Sequence, residues 1–494
     1  MALRRHRMPD DLTPEQREQR IAELRARRRA RARTLAIRSA IGIAVLVVLA
    51  AAALYWLLMT FGGRDFLLSQ VVARLPAGTA LTWQRAEGPA SGPLTLHGMR
   101  FVMRSCPDVD GEPVAYGQCA SPGTLTFAAR QVTIDPDVRP LLGKLLRLDA
   151  LDIRGATLDL AEAADEPFEL PRWPEVLPAI APPLSLQADA IRVEGFRVTQ
   201  AGEPLIDIAS LRGGLDARDG ELTLTRIAVE SDRGRFTAHG RYAPGDDYAT
   251  DLTATALLPA PLGRTRPRIG LVARGDLSAM DVALTGYAPE RLRALLTLRG
   301  RDAPRWGFTA GTTALVPTLF TGATPAAAPV AFDLRASGVG GAATVQGRFA
   351  QGGLTAVVQP SRVRLAEQVL ELSPLVLDVA GGRITARGRG DFSNPDDARF
   401  KFAVIARGLV HAPAPDPAAP DLPPAPAIGA DADFGIAGST AAWAAIGTAA
   451  IDRDGQQATL AFDGRGNADA LALRKLHVAM PTGTLDATGQ VGWA

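Results

Sequence analysis

The chain is poor in the side chains that most often carry chemistry. Aromatic residues make up only 5% of its 494 positions, a scarcity that argues against the stacking platforms used to bind sugars. Two cysteines are present, Cys106 and Cys119, too few for a metal centre without other ligands nearby. The five histidines (His6, His97, His239, His411 and His477) are scattered. No G-x-S-x-G, H-E-x-x-H, Walker A or clear G-x-G-x-x-G occurs. These absences point away from an enzyme and imply no cofactor and no metal. Lysine occurs three times (Lys144, Lys401 and Lys475) among 54 basic residues, so nearly every cation is Arg and arginine alone carries little information.

What is present begins with one long apolar run. Residues 39–61 form 23 consecutive positions without a charge. As a helix they measure about 34 Å, enough for a bilayer core of about 30 Å. Residues 1–38 hold twelve Arg against five acids, a net +7, while the whole chain is +2. Positive charge beside a span stays cytoplasmic, so the N-terminus is expected in the cytoplasm and residue 62 onward across the membrane. The alternative is a cleaved signal peptide, but the run exceeds a normal h-region and no small-x-small site follows Tyr55-Trp56. Thr13-Pro14-Glu15-Gln16 predicts a helix start in the basic arm. Arg beside a span meets anionic headgroups, so the arm is read as membrane-facing and not as a nucleic-acid binder.

Beyond the span lie 433 residues, too many for one ordinary core. With 49 Gly and 37 Pro, long helices are not expected there. Cys106 and Cys119 stand close together in a compartment that would be oxidising, which predicts a disulfide across a loop.

A gapless motif appears three times. It runs Leu222, Leu224, Ile227, Val229, Gly234, Phe236, Ala238, Gly240; then Leu370, Leu372, Leu375, Leu377, Gly382, Ile384, Ala386, Gly388; then Leu471, Leu473, Leu476, Val478, Gly483, Leu485, Ala487, Gly489. Alternation is the period of a half-buried strand. The three-residue step from Leu224 to Ile227 breaks that period, so a bulge at Thr225-Arg226 is required to keep both pairs on one face. Ser231-Asp232-Arg233-Gly234 then supplies a turn, with Gly234 free to take positive φ, and Phe236 returns on the same face. The copies start 148 and 101 residues apart, which excludes a fixed-period array and predicts a meander reusing one device. On this reading roughly 30–35 strands stack side by side.

Two short helices are expected to cap the β body. Residues 64–75 carry Leu67, Leu68, Val71, Val72 and Leu75; residues 137–148 carry Val138, Leu141, Leu142, Leu145 and Leu146, with Asp137 as N-cap. Residues 411–428 are a Pro/Ala tract, read as an extended loop or linker, and a smaller break runs through 321–329.

The order of parts resembles a known family. The basic arm and span lead into Gly62–Leu68, Val71–Pro76, Glu87-Gly88 and Gly92–Leu96, followed by the stretch Val132–Gly155. Over residues 38–160 the chain is similar to the N-terminal part of TamB proteins, of the AsmA-like group of envelope proteins; beyond that it matches in its repeated β character. The resemblance implies a mainly β fold: a taco-like β-groove with an apolar lumen, anchored in the inner membrane, reaching across the periplasm and carrying phospholipid to support outer-membrane biogenesis. TamB proteins finish in a C-terminal domain that engages the outer-membrane partner TamA. This chain stops soon after the third motif copy, as if cut inside the sheet.

The expected organisation is therefore a basic arm (1–38), a signal-anchor helix (39–61), an AsmA-like cap region (62–160), a repetitive β-groove (161–410), a Pro/Ala-rich loop (411–430) and a continuing groove (431–494). Leu222, Leu224, Ile227, Val229, Phe236, Leu370, Leu372, Leu375, Leu377, Ile384, Leu471, Leu473, Leu476, Val478 and Leu485 are the candidates for acyl-chain contact. The competing readings are a closed inter-sheet core, a scaffold that assists insertion or secretion of outer-membrane proteins by strand addition, and a passive envelope tether.

Overall fold

The computed structural model describes residues 14–106, 123–137, 145–161, 170, 177–182, 185–260, 265–316, 328–394, 397–411 and 426–492. The chain divides into two compact units, residues 1–75 with 87–94, and residues 76–86 with 95–494.

The first unit is helical. α1 (Pro14–Met59) starts at the proline that the sequence predicts for a first helical position. Its segment Ile41–Met59 is the one described helix long and apolar enough to cross a membrane, and none of its residues is buried. At Thr60 the helix breaks and α2 (Phe61–Ala73) begins, with the Thr60 hydroxyl accepting from the Gly63 amide at 3.1 Å. Residues 87–94 fold back on this elbow. The Arg64 guanidinium, 8% exposed, donates to the Gly88 carbonyl at 3.1 Å, and the Ser91 hydroxyl donates to the Leu58 carbonyl at 2.9 Å. A Cβ at Gly63 would collide with the Trp56 carbonyl oxygen, so only glycine fits there.

Among the described residues the second unit forms one sheet of 25 strands. Its first members are β1 (Thr79–Thr82), β2 (Arg85–Glu87), β3 (Leu94–Ser105), β4 (Gly123–Asp137), β5 (Leu145–Leu160), β6 (Ser185–Gln200), β7 (Glu203–Arg218), β8 (Glu221–Ser231) and β9 (Gly234–Ala243). They continue as β10 (Ala249–Leu257), β11 (Arg268–Gly275), β12 (Ala279–Tyr287), β13 (Arg291–Arg299), β14 (Arg305–Leu315), β15 (Val330–Val339), β16 (Ala342–Gln351) and β17 (Leu354–Ala366). The last are β18 (Val369–Val379), β19 (Gly382–Asp391), β20 (Arg399–His411), β21 (Ile428–Ser439), β22 (Trp443–Arg453), β23 (Gln456–Gly466), β24 (Ala470–Met480) and β25 (Gly483–Gly492). Strands from β3 onward run 8–16 residues, longer than the usual strand, which is why fewer are found than expected.

From β4 onward each strand pairs with the next in sequence, and β25 pairs with β24 alone among the described residues. The sheet is therefore open, not a closed barrel. Every pair from β4 to β25 is antiparallel except β5–β6, which is parallel with Leu151 opposite Ile191. A meander visits its two rims in turn, and the parallel pair resets that alternation once. Because every pair beyond β6 is antiparallel, the connections 258–267, 316–329 and 412–427 all leave the sheet at one rim, whereas the longest on the other rim after β6 is 392–398.

One expectation changes. The predicted helix over 137–148 is not formed at its ends: Asp137 closes β4 and Leu145–Leu148 open β5, residues 138–144 lying outside the described ones. The run Leu145-Leu146-Arg147-Leu148 fits either period, and pairing with Ser185–Ala188 of the parallel neighbour decides it. The Pro/Ala tract does not interrupt the sheet. β20 and β21 pair as far as His411 opposite Ile428, so the sheet is continuous on both sides of it; residues 412–425 themselves are not described. Likewise β14 and β15 pair across the break at 321–329, with Leu315 opposite Val330.

The motif device forms as its spacing requires. Copy one is β8–β9, copy two β18–β19 and copy three β24–β25, each with a register shift at the expected step: Leu224/Ile227, Leu372/Leu375 and Leu473/Leu476. In β8 the bulge is taken up by Arg226 at φ +48. Gly234 follows at φ +129, against the Leu257 carbonyl.

Candidate functional site

The two faces of the sheet differ in chemistry along nearly its whole length. Directly opposed residues of neighbouring strands share a face, so the register can be followed from strand to strand. Starting at Ile227 in β8 the row runs Ala238, Ala254, Leu271, Leu284, Ala294, Ala310, Leu334 and Gly347 to Val358 in β17. It continues through Leu377, Ile384, Ala406, Ala432, Ala449, Leu460 and Val478 to Leu485 in β25. No polar side chain interrupts it. A parallel row starts further back, at Val132 in β4, and passes Ile153, Val193, Leu211, Val229, Phe236, Ala256 and Ile269.

The opposite face is charged. Between β9 and β12 a row reads Arg241, Asp251, Arg274, Asp281, alternating in sign, and Thr297 follows it in β13. Arg274 pairs with Asp251 at 3.1 Å and Arg299 with Asp281 at 2.7 Å. At the tip of copy two the Arg383 guanidinium holds the Asp378 carboxyl below its usual range, helped by a hydrogen bond from Gln359.

The sequence candidates sort onto these rows. Ile227, Leu377, Ile384, Val478 and Leu485 share the first row, and Val229 and Phe236 the second. Leu375 and Leu476 lie on one further row, through Val404, Phe434 and Phe462. Leu372 and Leu473 lie on another through Phe402 and Ile436, and Leu370 and Leu471 on another through Phe400 and Trp443. Copies two and three are thus in strict register. Copy one is staggered by one alternation, because Ile227 leads to Leu377 and not to Leu375. Leu222 faces Tyr242, and Leu224 faces Gly240 and Leu215, on rows of the same side.

This apolar face is not covered by a second layer among the described residues. The buried cluster Ala129, Val132 and Ala156, packed by Phe127, Ile153 and Phe196, sits at the β4–β6 end. Further along, side chains are half-buried, and Leu334 (38%), Phe349 (39%) and Leu485 (55%) are open. Where copy one meets β10 and β11, Ile227, Val229, Phe236, Ala254, Ile269 and Leu271 line a concavity of about 220 Å³.

The motif search overlooked Phe332, Leu334, Phe349 and Phe434, which lie on the same side outside the three copies. Their signal was plain alternation, as in Phe332-Asp333-Leu334. Cys106 is buried and disulfide-bonded; its expected partner Cys119 lies outside the described residues. Among the described residues no group of three or more His, Cys, Asp and Glu could hold a metal. No family model, curated protein or solved structure matches this chain.

Proposed function

We propose that the apolar face is a path for the acyl chains of phospholipids. In this reading α1 anchors the chain in the inner membrane, with residues 1–38 on the cytoplasmic side and the sheet in the periplasm. One observation carries it: an apolar row unbroken from Ile227 to Leu485 that stays partly open to solvent along an unclosed sheet. A closed core would bury that row in protein. An open one leaves it to hydrocarbon, each buried methylene contributing about 0.8 kcal/mol. The similarity of residues 38–160 to TamB proteins supports the same role, and makes a TamA-like outer-membrane protein the partner to look for.

The test is mass spectrometry of organic extracts from the purified chain beside its Phe236→Arg and Leu377→Arg variants. Co-purifying phospholipid should fall in both variants while circular dichroism shows the sheet intact. A folded, monodisperse wild type free of lipid would sink the proposal. Photo-crosslinking from Leu377 separates the alternative: lipid adducts support conduction, and protein adducts would favour a scaffold for outer-membrane proteins.

A further inference from the structure

A second concavity lies in the charged face, behind copy two. About 1130 Å³ in volume, it has a lining that includes Asp391 and two complete cross-strand rows: Arg387, Ala403, Gly435 and Ile446; and Arg389, Lys401, Ala437 and Ala444. Both rows belong to the side opposite the apolar path, since they alternate with Gly388, Phe402, Ile436 and Ala445.

The rows change character along their length. At the β19–β20 end they present cations, with Arg399 also on the rim. At the β21–β22 end they present hydrogen or methyl groups, ending at Ile446, which is 65% exposed. Gly435, Ala437 and Ala444 are too small to fill the space above the sheet, and the bulge residues Ser373 and Pro374 stand at the β18 side.

The cations outnumber the acids beside them. Arg389 stands directly opposite Lys401, an arrangement that destabilises a strand pair. The acids nearby are Asp391, 3.9 Å from Arg389, and Glu371, opposite Arg389 in β18. Arg387 and Lys401 make no ion pair among the described residues. Between β9 and β12 a row of the same face alternates cation with acid, which the two rows of the trough do not. Arg forks and a Lys point charge converging beside an apolar floor match a phosphate joined to hydrocarbon.

We propose that this trough binds a phosphate-bearing amphiphile, with the phosphate at Arg387, Arg389 and Lys401 and the chain over Ala403, Ala437, Ala444 and Ile446. Its two rows face away from the apolar path, and the proposal stands whether or not that path conducts lipid.

The full chain, delipidated in maltoside detergent, is titrated with dioctanoyl phosphatidate, dioctanoylglycerol and inorganic phosphate by microscale thermophoresis. Phosphatidate should bind at least about tenfold more tightly than either of the others. Lys401→Glu should weaken phosphatidate by at least about tenfold while keeping the strand pair, because the new carboxylate faces Arg389. Ala444→Trp, which fills the floor without touching charge, should weaken phosphatidate and leave phosphate unchanged. Phosphate binding as tightly as phosphatidate would overturn the amphiphile assignment. Binding untouched by Lys401→Glu and Ala444→Trp would overturn the site.

Discussion

The side chain of Gln368 pairs with the main chain of Leu170 as one strand pairs with another. Its amide nitrogen donates to the Leu170 carbonyl at 2.9 Å, and its oxygen accepts from the Leu170 amide at 2.8 Å. The two are 198 positions apart. Gln368 closes the β17–β18 turn and is 4% exposed, so this contact ties the segment between β5 and β6 to a turn eleven strands downstream of β6. Two more contacts hold the same segment: the Tyr242 hydroxyl donates to Pro178 at 2.7 Å, and the Gly220 amide to Ile180 at 2.7 Å.

Replacing Gln368 with Leu leaves both Leu170 groups without their partner. The expected cost is about 1–3 kcal/mol of local stability. Hydrogen exchange should quicken at Leu170 while β20–β25 keep their protection. Unchanged exchange at Leu170 would show that the pairing contributes nothing in solution.

Gly234→Ala should destabilise the copy-one hairpin by about 1–3 kcal/mol, since its φ of +129 suits glycine and a methyl group meets the Leu257 carbonyl. Gly202→Ala tests strain without collision: its φ is +84 but nothing lies within 4 Å of a Cβ there. Urea denaturation should rank Gly234→Ala as the more damaging change.

Acid should loosen the tip of copy two before neutral pH does. The Asp378 carboxyl is held below its usual range by Arg383 first and Gln359 second. A depressed folded value means the stabilisation is present above the unfolded pKa near 4 and is lost as pH falls through the folded value. Asp378→Asn should remove that part of the acid sensitivity, read as a flatter stability profile below about pH 4. An unchanged profile would assign acid sensitivity to other carboxylates.

At the helical elbow, Gly63→Val should push α2 away from the end of α1, because its Cβ would overlap the Trp56 carbonyl. Trp56 lies 6.4 Å from the Phe66 ring, so its fluorescence reports the change. Identical emission spectra in variant and wild type would show that the elbow adapts without moving.

Much of this architecture was legible in the residues, and the reason is local. The step from Leu224 to Ile227 admits one solution that keeps both apolar pairs on a face, and the register shift lies there in all three copies. Residues 145–148 were misread because four positions of Leu and Arg do not distinguish periods of 2 and 3.6, and a strand added far along the chain settles the matter. The stagger between copies one and two was invisible for a similar reason. It accumulates through irregular pairings such as Val345/Gly347 in β16–β17, which no single segment encodes. The trough behind copy two was overlooked because its residues look like ordinary surface: Ala, Gly, Arg and Lys acquire meaning only when four strands set them side by side.

The antiparallel run beyond the junction of β5 and β6 governs how such a body can change size. Beyond that junction the chain reverses at every step, so two strands together return it to the same rim with the same side chains facing the same way. Removing a hairpin would shorten the apolar path and leave every residue downstream on its own face, whereas removing a single strand would send each later turn to the opposite rim. Length in this molecule therefore comes in units of two strands. The rim that receives 258–267, 316–329 and 412–427 accepts extra chain at no cost to that count, and the other rim, with its short turns, stays level.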